Sequence, residues 1–168
     1  MTQACIALGS NIDPEKNLQQ AVHLLAKQFK LLARSRVYVT PPWGYKPQAD
    51  FLNAALLVET QLEPLPVLDA LLAIELVCGR ERNIPNGPRT LDLDLIFHGE
   101  TKFQTPRLTL PHPGMHLRGF VLIPMADIAP DWVHPDTGKS VAEMASLVET
   151  SDIRPSNFSL ELPEGDQT

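Results

Sequence analysis

Hydrophobic and polar positions follow two different periods along the chain, and the changes of period mark its elements. Residues 3–8 form a short apolar run, the pattern of a buried strand, and Gly9-Ser10-Asn11 reads as the turn that ends it. Asp13-Pro14-Glu15 then opens a helix: an Asp to cap it, a Pro in the first turn and an early acid that suits the dipole. Leu18, Ala21, Val22, Leu25 and Phe29 recur at helical spacing and predict its buried face, with His23 on the polar side. Residues 31–40 read as one strand, favoured by Val37, Tyr38 and Val39, and residues 51–60 as the next. Glu63-Pro64 opens a second helix that runs to Arg80 or Arg82, with Gly79 marking its end and Leu68, Leu71, Leu72, Glu75 and Cys78 on one side. Residues 90–97 alternate most clearly: Leu91, Leu93 and Leu95 point to one face of a strand, Asp92 and Asp94 to the other.

Downstream the pattern is weaker. His98-Gly99-Glu100 makes a turn, after which residues 101–103 are expected to pair back as a short hairpin. Residues 121–128 read as a short helix despite Pro124, residues 132–138 as a small turn or hairpin, and residues 141–148 as a last short helix. Residues 151–168 are polar and acidic with two prolines, which predicts a loosely held tail. The expected organisation is one domain over residues 1–150 with a tail at 151–168.

Composition narrows the function classes. A chain of 168 residues with 43% hydrophobic content can build a real core. Its net charge of −6 argues against a general nucleic-acid binder or a polybasic membrane binder. No apolar run approaches membrane-spanning length and no signal-peptide pattern opens the chain, so a soluble, cytoplasmic protein is expected. Cys5 and Cys78 stand far apart and read as core thiols, with a disulfide as the alternative. His112 and His116 sit four apart, but Pro113 and Gly114 between them spoil a zinc-binding helix. The arginines are concentrated: Arg80, Arg82, Arg89, Arg107 and Arg118 are five of the eight in the chain, which suggests a local anion site in an acidic protein.

Candidate chemistry centres on residues 86–96. Two carboxylates two residues apart on one strand have Cβ atoms roughly 6.5–7 Å apart. Burying such a pair uncompensated costs several kcal/mol, and hard oxygen ligands select Mg²⁺. Gly87-Pro88 turns the chain and delivers Arg89 to the mouth of that strand, so cationic fork and paired carboxylates together suggest a metal-bound phosphate ester. An Asp-x-Asp strand also fits a plain solvated face. Residues 40–47 hold three prolines and a glycine, hence a loop, and its Trp43 and Tyr45 fit either a binding lid or aromatics packed on the core. Phe51 and Asn53 share a face and suit a planar heterocycle, or a core ring beside a turn-satisfying amide. Glu75, an acid in an apolar helix, reaches either solvent or a ligand, and proline on both sides of His112 presents its imidazole.

The ordered set is specific: Gly9-Ser10-Asn11, Thr40-Pro41-Pro42, Phe51-Leu52-Asn53-Ala54-Ala55, Ile74-Glu75, Gly79-Arg80-x-Arg82, Gly87-Pro88-Arg89-Thr90-Leu91-Asp92-Leu93-Asp94, Pro111-His112-Pro113 and Arg118-Gly119-Phe120. Over residues 3–135 the chain closely resembles the 6-hydroxymethyl-7,8-dihydropterin pyrophosphokinases of folate biosynthesis. The resemblance implies a ferredoxin-like α+β fold, an αβα sandwich with a mainly antiparallel sheet, in agreement with the βαββαβ pattern. It implies transfer of the β,γ-diphosphate of ATP to the pterin hydroxymethyl group, with release of AMP. Asp92 and Asp94 would hold two Mg²⁺ ions. Arg82, Arg89, His112 and Arg118 would contact the phosphates, with Arg80 and Arg107 close by, and Glu75 and Leu95 would line the nucleotide site. Phe51 and Phe120 would sandwich the pterin, with Asn53 and the loop formed by Thr40, Pro41, Pro42 and Trp43 hydrogen-bonding it. Arg82, Arg89 and Asp94 would carry the catalysis, Asp94 as the candidate to assist the hydroxyl. The expected partners are ATP and the pterin alone, with no nucleic acid and no membrane, and a monomer is expected. Many relatives carry a basic residue and a Trp just before the Gly-Pro-Arg turn, where this chain has Pro85 and Asn86; Trp43 is a candidate to compensate. Two other readings are another Mg²⁺-dependent phosphoryl or nucleotidyl transferase, and a non-catalytic nucleotide-binding relative.

Overall fold

The structure is a computed structural model and describes residues 1–42, 47–79 and 88–163. In chain order the elements are β1 (Thr2–Ser10), α1 (Pro14–Ala26), β2 (Lys30–Arg34), β3 (Tyr38–Thr40), β4 (Phe51–Thr60), α2 (Pro64–Val77), β5 (Asp92–His98), β6 (Phe103–Gln104), β7 (Thr109–Leu110), a 3₁₀ turn (Met115–Leu117), α3 (Gly119–Ile128), α4 (Val141–Ser146) and β8 (Arg154–Pro155). The main sheet runs β5-β1-β4-β3-β8 with β2 also on β4, and every pairing is antiparallel. That is the α+β order expected of a ferredoxin-like fold, with helices on both faces.

Alternation within the strands sorts the two cores. Ala4, Ile6 and Leu8 of β1, Ala54, Leu56 and Val58 of β4, and Leu91, Leu93 and Leu95 pack with α1 and α2 on the first face. The helix α1 contributes Leu18, Ala21, Val22 and Leu25, as the spacing predicts, whereas Phe29, expected on the same helix, is buried just past its end. Cys5, Ala55, Ile96 and Phe97 turn to the second face, under α3 and α4. There Trp132 stacks on Phe97 at 4.4 Å and donates its indole N–H to the Gly99 carbonyl. The β5 strand serves both cores because it carries a bulge. Ile6 pairs with Leu95 and Cys5 with Phe97, so Ile96 is an inserted residue. Its carbonyl accepts the His112 backbone N–H at 2.8 Å, which ties the Pro111–Pro113 segment to the sheet.

Several elements differ from the sequence expectation. Residues 31–40 are two strands, because the chain breaks pairing at Ser35–Val37. The fully buried Ser35 bridges the break: its N–H donates to the Ala55 carbonyl and its Oγ accepts the Ala55 N–H. Asp13 stands at the α1 N-cap with φ 42° and its side chain caps nothing; the Asn17 amide bonds the Ile12 carbonyl instead. The second helix ends at Val77, short of Arg80, and its buried row is Pro64, Val67, Leu71, Ile74 and Glu75, with Leu68 and Leu72 only half-buried. The short strand β6 pairs with β7, not back onto β5. The helix α3 starts at Gly119, ahead of the expected 121, and α4 stops at Ser146 behind a Ser140–Glu143 capping box.

The largest correction is the tail. Residues 151–163 are docked: β8 pairs with β3, Leu160 is buried in the first core, and Phe158 and Leu162 pack beside it. Gln19 of α1 holds Glu161 through both backbone groups. Apolar residues spaced singly among polar ones hid this in the sequence. A Leu→Ala change at a fully buried site costs about 2–5 kcal/mol. Leu160→Ala should therefore lower unfolding stability by that amount in urea denaturation, where a loose tail would leave it unchanged.

Candidate active site

The pocket lies on the second face of the sheet, at the end that α3 and α4 leave open. Side chains two apart share a face, so the register of three strands decides what meets there. Asn53, Gly9 and Asp92 form one row across β4, β1 and β5; Ala55, Ala7 and Asp94 form the next. Small residues in the middle strand make a floor, an amide stands on one side and two carboxylates on the other. Phe51 extends the amide side, and Thr40 and Pro41 close it. Arg89, Arg118 and Phe120 complete the same pocket.

Each wall has a local cause. The Asn53 Nδ2 donates to Thr40 Oγ1 at 2.5 Å, joining the end of β3 to β4. Asn11 organises both neighbouring loops: its N–H donates to the Arg89 carbonyl, its Oδ1 accepts the Arg89 N–H at 2.8 Å, and its Nδ2 donates to Gln48 Oε1 and the Ala49 carbonyl. Arg118 is the N-cap residue of α3, and its guanidinium lies 5.8 Å from the Phe120 ring. A Cβ on Gly114 would come within 3.1 Å of Arg118 Nε, so that glycine makes room for the arginine. The far end of α3 is clamped by Asp127, which accepts from Tyr38 Oη at 2.8 Å and pairs with Arg36.

His112 is held as a neutral donor. Its Nδ1 accepts the Gly114 N–H at 3.2 Å, which leaves the proton on Nε2. Burial, reinforced by Arg118, pushes its pKa down to about 4, against the opposing pull of Asp92. Glu75 is buried, and its Oε2 accepts the backbone N–H of Leu93 at 2.8 Å. It therefore grips the edge strand at the residue between the two aspartates.

The expected site residues fall into three groups. Thr40, Pro41, Phe51, Asn53, Arg89, Asp92, Asp94, Arg118 and Phe120 line one pocket. Glu75 and Leu95 lie on the α2 side of the sheet, Arg107 pairs with Asp69 of α2, Pro42 is buried beside the pocket loop, and His112, tied to the Ile96 carbonyl, stands outside the residues that line the pocket. Arg80, Arg82 and Trp43, with the Pro85-Asn86 departure, lie outside the described residues. Sequence reasoning missed Ala7, Gly9 and Asn11 as site residues. Gly9 continues the Cys5, Ala7 spacing along β1, a small-residue stripe that the turn reading concealed.

The donor set suits Mg²⁺ held partly by substrate. Among the described residues no group of three or more His, Cys, Asp or Glu could hold an ion alone. Mg²⁺ is commonly bound by one or two carboxylates with phosphate oxygens and water completing the octahedron, which is what Asp92 and Asp94 offer.

Comparison with known proteins fits this geometry. The family model of the 7,8-dihydro-6-hydroxymethylpterin-pyrophosphokinases (HPPK) matches residues 5–130. The 2-amino-4-hydroxy-6-hydroxymethyldihydropteridine pyrophosphokinase of Synechocystis sp. is 43% identical over 165 residues, covering 95% of this chain and 83% of the relative. The protein of that name from Pseudomonas aeruginosa is 44% identical over 142 residues, 83% of this chain and 87% of the relative. A solved Plasmodium falciparum HPPK-DHPS structure superposes with a TM-score of 0.73 at 15% identity over 86% of this chain, and the match spans 45% of that longer protein. That likeness supports the fold, while the sequence matches support the family: the chain belongs to the 7,8-dihydro-6-hydroxymethylpterin-pyrophosphokinases.

Proposed function

We propose that the row Asn53–Gly9–Asp92 is the axis along which the two substrates meet. As a family member the chain is an ATP-dependent pyrophosphokinase that acts on hydroxymethyldihydropterin in folate biosynthesis. Adjacent strands are about 4.8 Å apart, so amide and carboxylate stand about 10 Å apart across the Gly9 floor. That span suits a flat bicyclic ring whose hydroxymethyl arm reaches toward the phosphates, and it is the observation that carries the assignment.

Phe51 and Phe120 hold the ring faces, and Asn53, with the loop of Thr40, Pro41, Pro42 and Trp43, reads the ring edge. Asp92 and Asp94 hold two Mg²⁺ ions, which neutralise charge on the triphosphate when bound. Arg89 and Arg118 grip phosphate oxygens, and Arg82, with Arg80 near it, joins them by resemblance. His112 donates its Nε2–H to a phosphate oxygen. The hydroxymethyl oxygen attacks the β-phosphorus, the bond from the bridging oxygen to that phosphorus breaks, and AMP leaves. Among the described residues lining the pocket, Asp92 and Asp94 are the carboxylates, and Asp94 assists departure of the hydroxyl proton. Glu75 and Leu95 shape the nucleotide side from beneath β5, and Arg107 stands near its rim. The chain works as a cytoplasmic monomer on these two small molecules, without nucleic acid or membrane. The net charge of −6 supports the exclusion of nucleic acid and of an anionic membrane surface; among the described residues no helix is long and apolar enough to cross a membrane.

Incubation with ATP, Mg²⁺ and 6-hydroxymethyl-7,8-dihydropterin should yield pterin-dependent AMP, resolved from ADP by chromatography. Asp92→Ala should reduce that rate about 10²–10³-fold or more, the scale for loss of a preorganised charge-stabilising group. ADP as product would overturn the assignment.

Glu75→Ala should cost about 1–3 kcal/mol of stability by orphaning the buried Leu93 N–H. It should also weaken Mg²⁺-dependent ATP binding in calorimetric titration. Glu75→Gln, which keeps an acceptor, should retain most of both.

His112 gives a pH signature. Its folded pKa is about 4, below the ordinary 6.5, so between those values the unfolded chain binds the extra proton. The stabilisation is fully present above pH 6.5 and is lost as pH falls toward 4. Urea denaturation across that window should show a shallower pH dependence in His112→Asn than in the parent protein.

A further inference from the structure

Gly9 occupies the centre of the floor without a turn to justify it. It is a paired residue of β1, flanked by Asn53 on β4 and by Asp92 on β5. Its φ lies outside the left-handed region, so backbone freedom is not the reason for a glycine. Space is the reason. A Cβ built on Gly9 would stand 2.7 Å from Asn53 Oδ1 and 3.7 Å from Asn53 Cγ, with the Leu52 carbonyl next at 4.0 Å. No atom of Asp92 comes closer than that.

The Asn53 amide is thus anchored at its nitrogen and given room at its oxygen. Its nitrogen is taken up by Thr40 Oγ1, and its oxygen lies over the bare backbone of Gly9. With one Nδ2 hydrogen engaged and the amide so oriented, Oδ1 is the acceptor presented above the floor. It is complementary to a ring edge that carries N–H donors, as the amino-pyrimidine edge of a pterin does.

We propose that Gly9 is a positioning residue for pterin recognition: the missing side chain holds the Asn53 carbonyl in the orientation that reads the donor edge of the ring. This rests on the assignment of Asn53 to the pterin. The atom that a Cβ would displace is the far end of a side chain. The fold therefore accommodates Gly9→Ala, and the Asn53 amide swings away.

The test is a double-mutant cycle on Gly9→Ala and Asn53→Ala in the full chain. Binding of 6-hydroxymethyl-7,8-dihydropterin is titrated calorimetrically with Mg²⁺ and α,β-methylene ATP present, which blocks turnover. Gly9→Ala should weaken pterin binding tenfold or more while changing affinity for the ATP analogue less than twofold. On the Asn53→Ala background the same substitution should have no further effect, because the atom it displaces is gone. An equal penalty on both backgrounds would mean that the Cβ meets the ligand directly, and would overturn the inference. Pterin affinity unmoved by Gly9→Ala but lowered by Asn53→Ala would overturn it while leaving the site assignment standing. Affinity unmoved by Asn53→Ala would overturn both. Should Gly9→Ala alone fold poorly, recovery of its melting temperature by Asn53→Ala would support the clash with the amide, and no recovery would overturn it.

Discussion

The antiparallel register of β4, β1 and β5 is the constraint on which the rest depends. Side chains alternate with period two, so a slip of one residue would exchange the faces of an entire strand. In β5 that slip would bury Asp92 and Asp94 against α2 and expose Leu93 and Leu95. Each buried leucine is worth about 1.5–3 kcal/mol, and the unpaired charges would add several more. The hydrophobic core on one face therefore fixes the carboxylates on the other. Glu75 adds a direct grip by accepting the Leu93 N–H from the same side.

What the sequence revealed and what it hid follow from the range of each interaction. The leucine–aspartate alternation at 91–95 is local and legible, as is the ladder Leu18, Ala21, Val22, Leu25 on α1. The pocket residues Phe51, Asn53, Arg89, Asp92, Asp94, Arg118 and Phe120 were legible as an ordered set. The break at Ser35 was not, because the hydroxyl that repairs it bonds Ala55, twenty positions away. The docking of Leu160 depends on a surface assembled from α1 and the sheet, so no neighbour in sequence announces it. Gly9 was misread for the same reason: its meaning is the clearance it gives to Asn53, which only the pairing of β1 with β4 supplies.

Irregular features do much of the positioning, and each is anchored in the regular core. The Ile96 bulge frees a carbonyl that holds His112, whose ring is then oriented by Gly114. The α3 helix is fastened at its far end by Asp127 to Tyr38 and Arg36, which leaves Arg118 and Phe120 at its start facing the pocket. An exposed ion pair such as Arg36–Asp127 is worth little alone. Here the phenol of the buried Tyr38 shares the same carboxylate and adds a charge-assisted bond.

Electrostatics then explains how an acidic chain accepts a polyanion. The overall −6 opposes ATP, but charges beyond about 8–10 Å are largely screened at physiological ionic strength. What matters is the pocket, where the charged lining among the described residues is Arg89, Arg118, Asp92 and Asp94. Two of each sign leave that described lining near neutrality, with Arg89 just ahead of the strand that carries both carboxylates. Neutrality spares the fold the cost of a concentrated like charge when no substrate is present. Each divalent cation proposed at Asp92 and Asp94 would tip the balance by two positive charges at the proposed triphosphate site. On that proposal nucleotide affinity would be conditional on the metal, and the proposed pterin side, Asn53 with Phe51 and Phe120, would carry no charge for the metal to disturb.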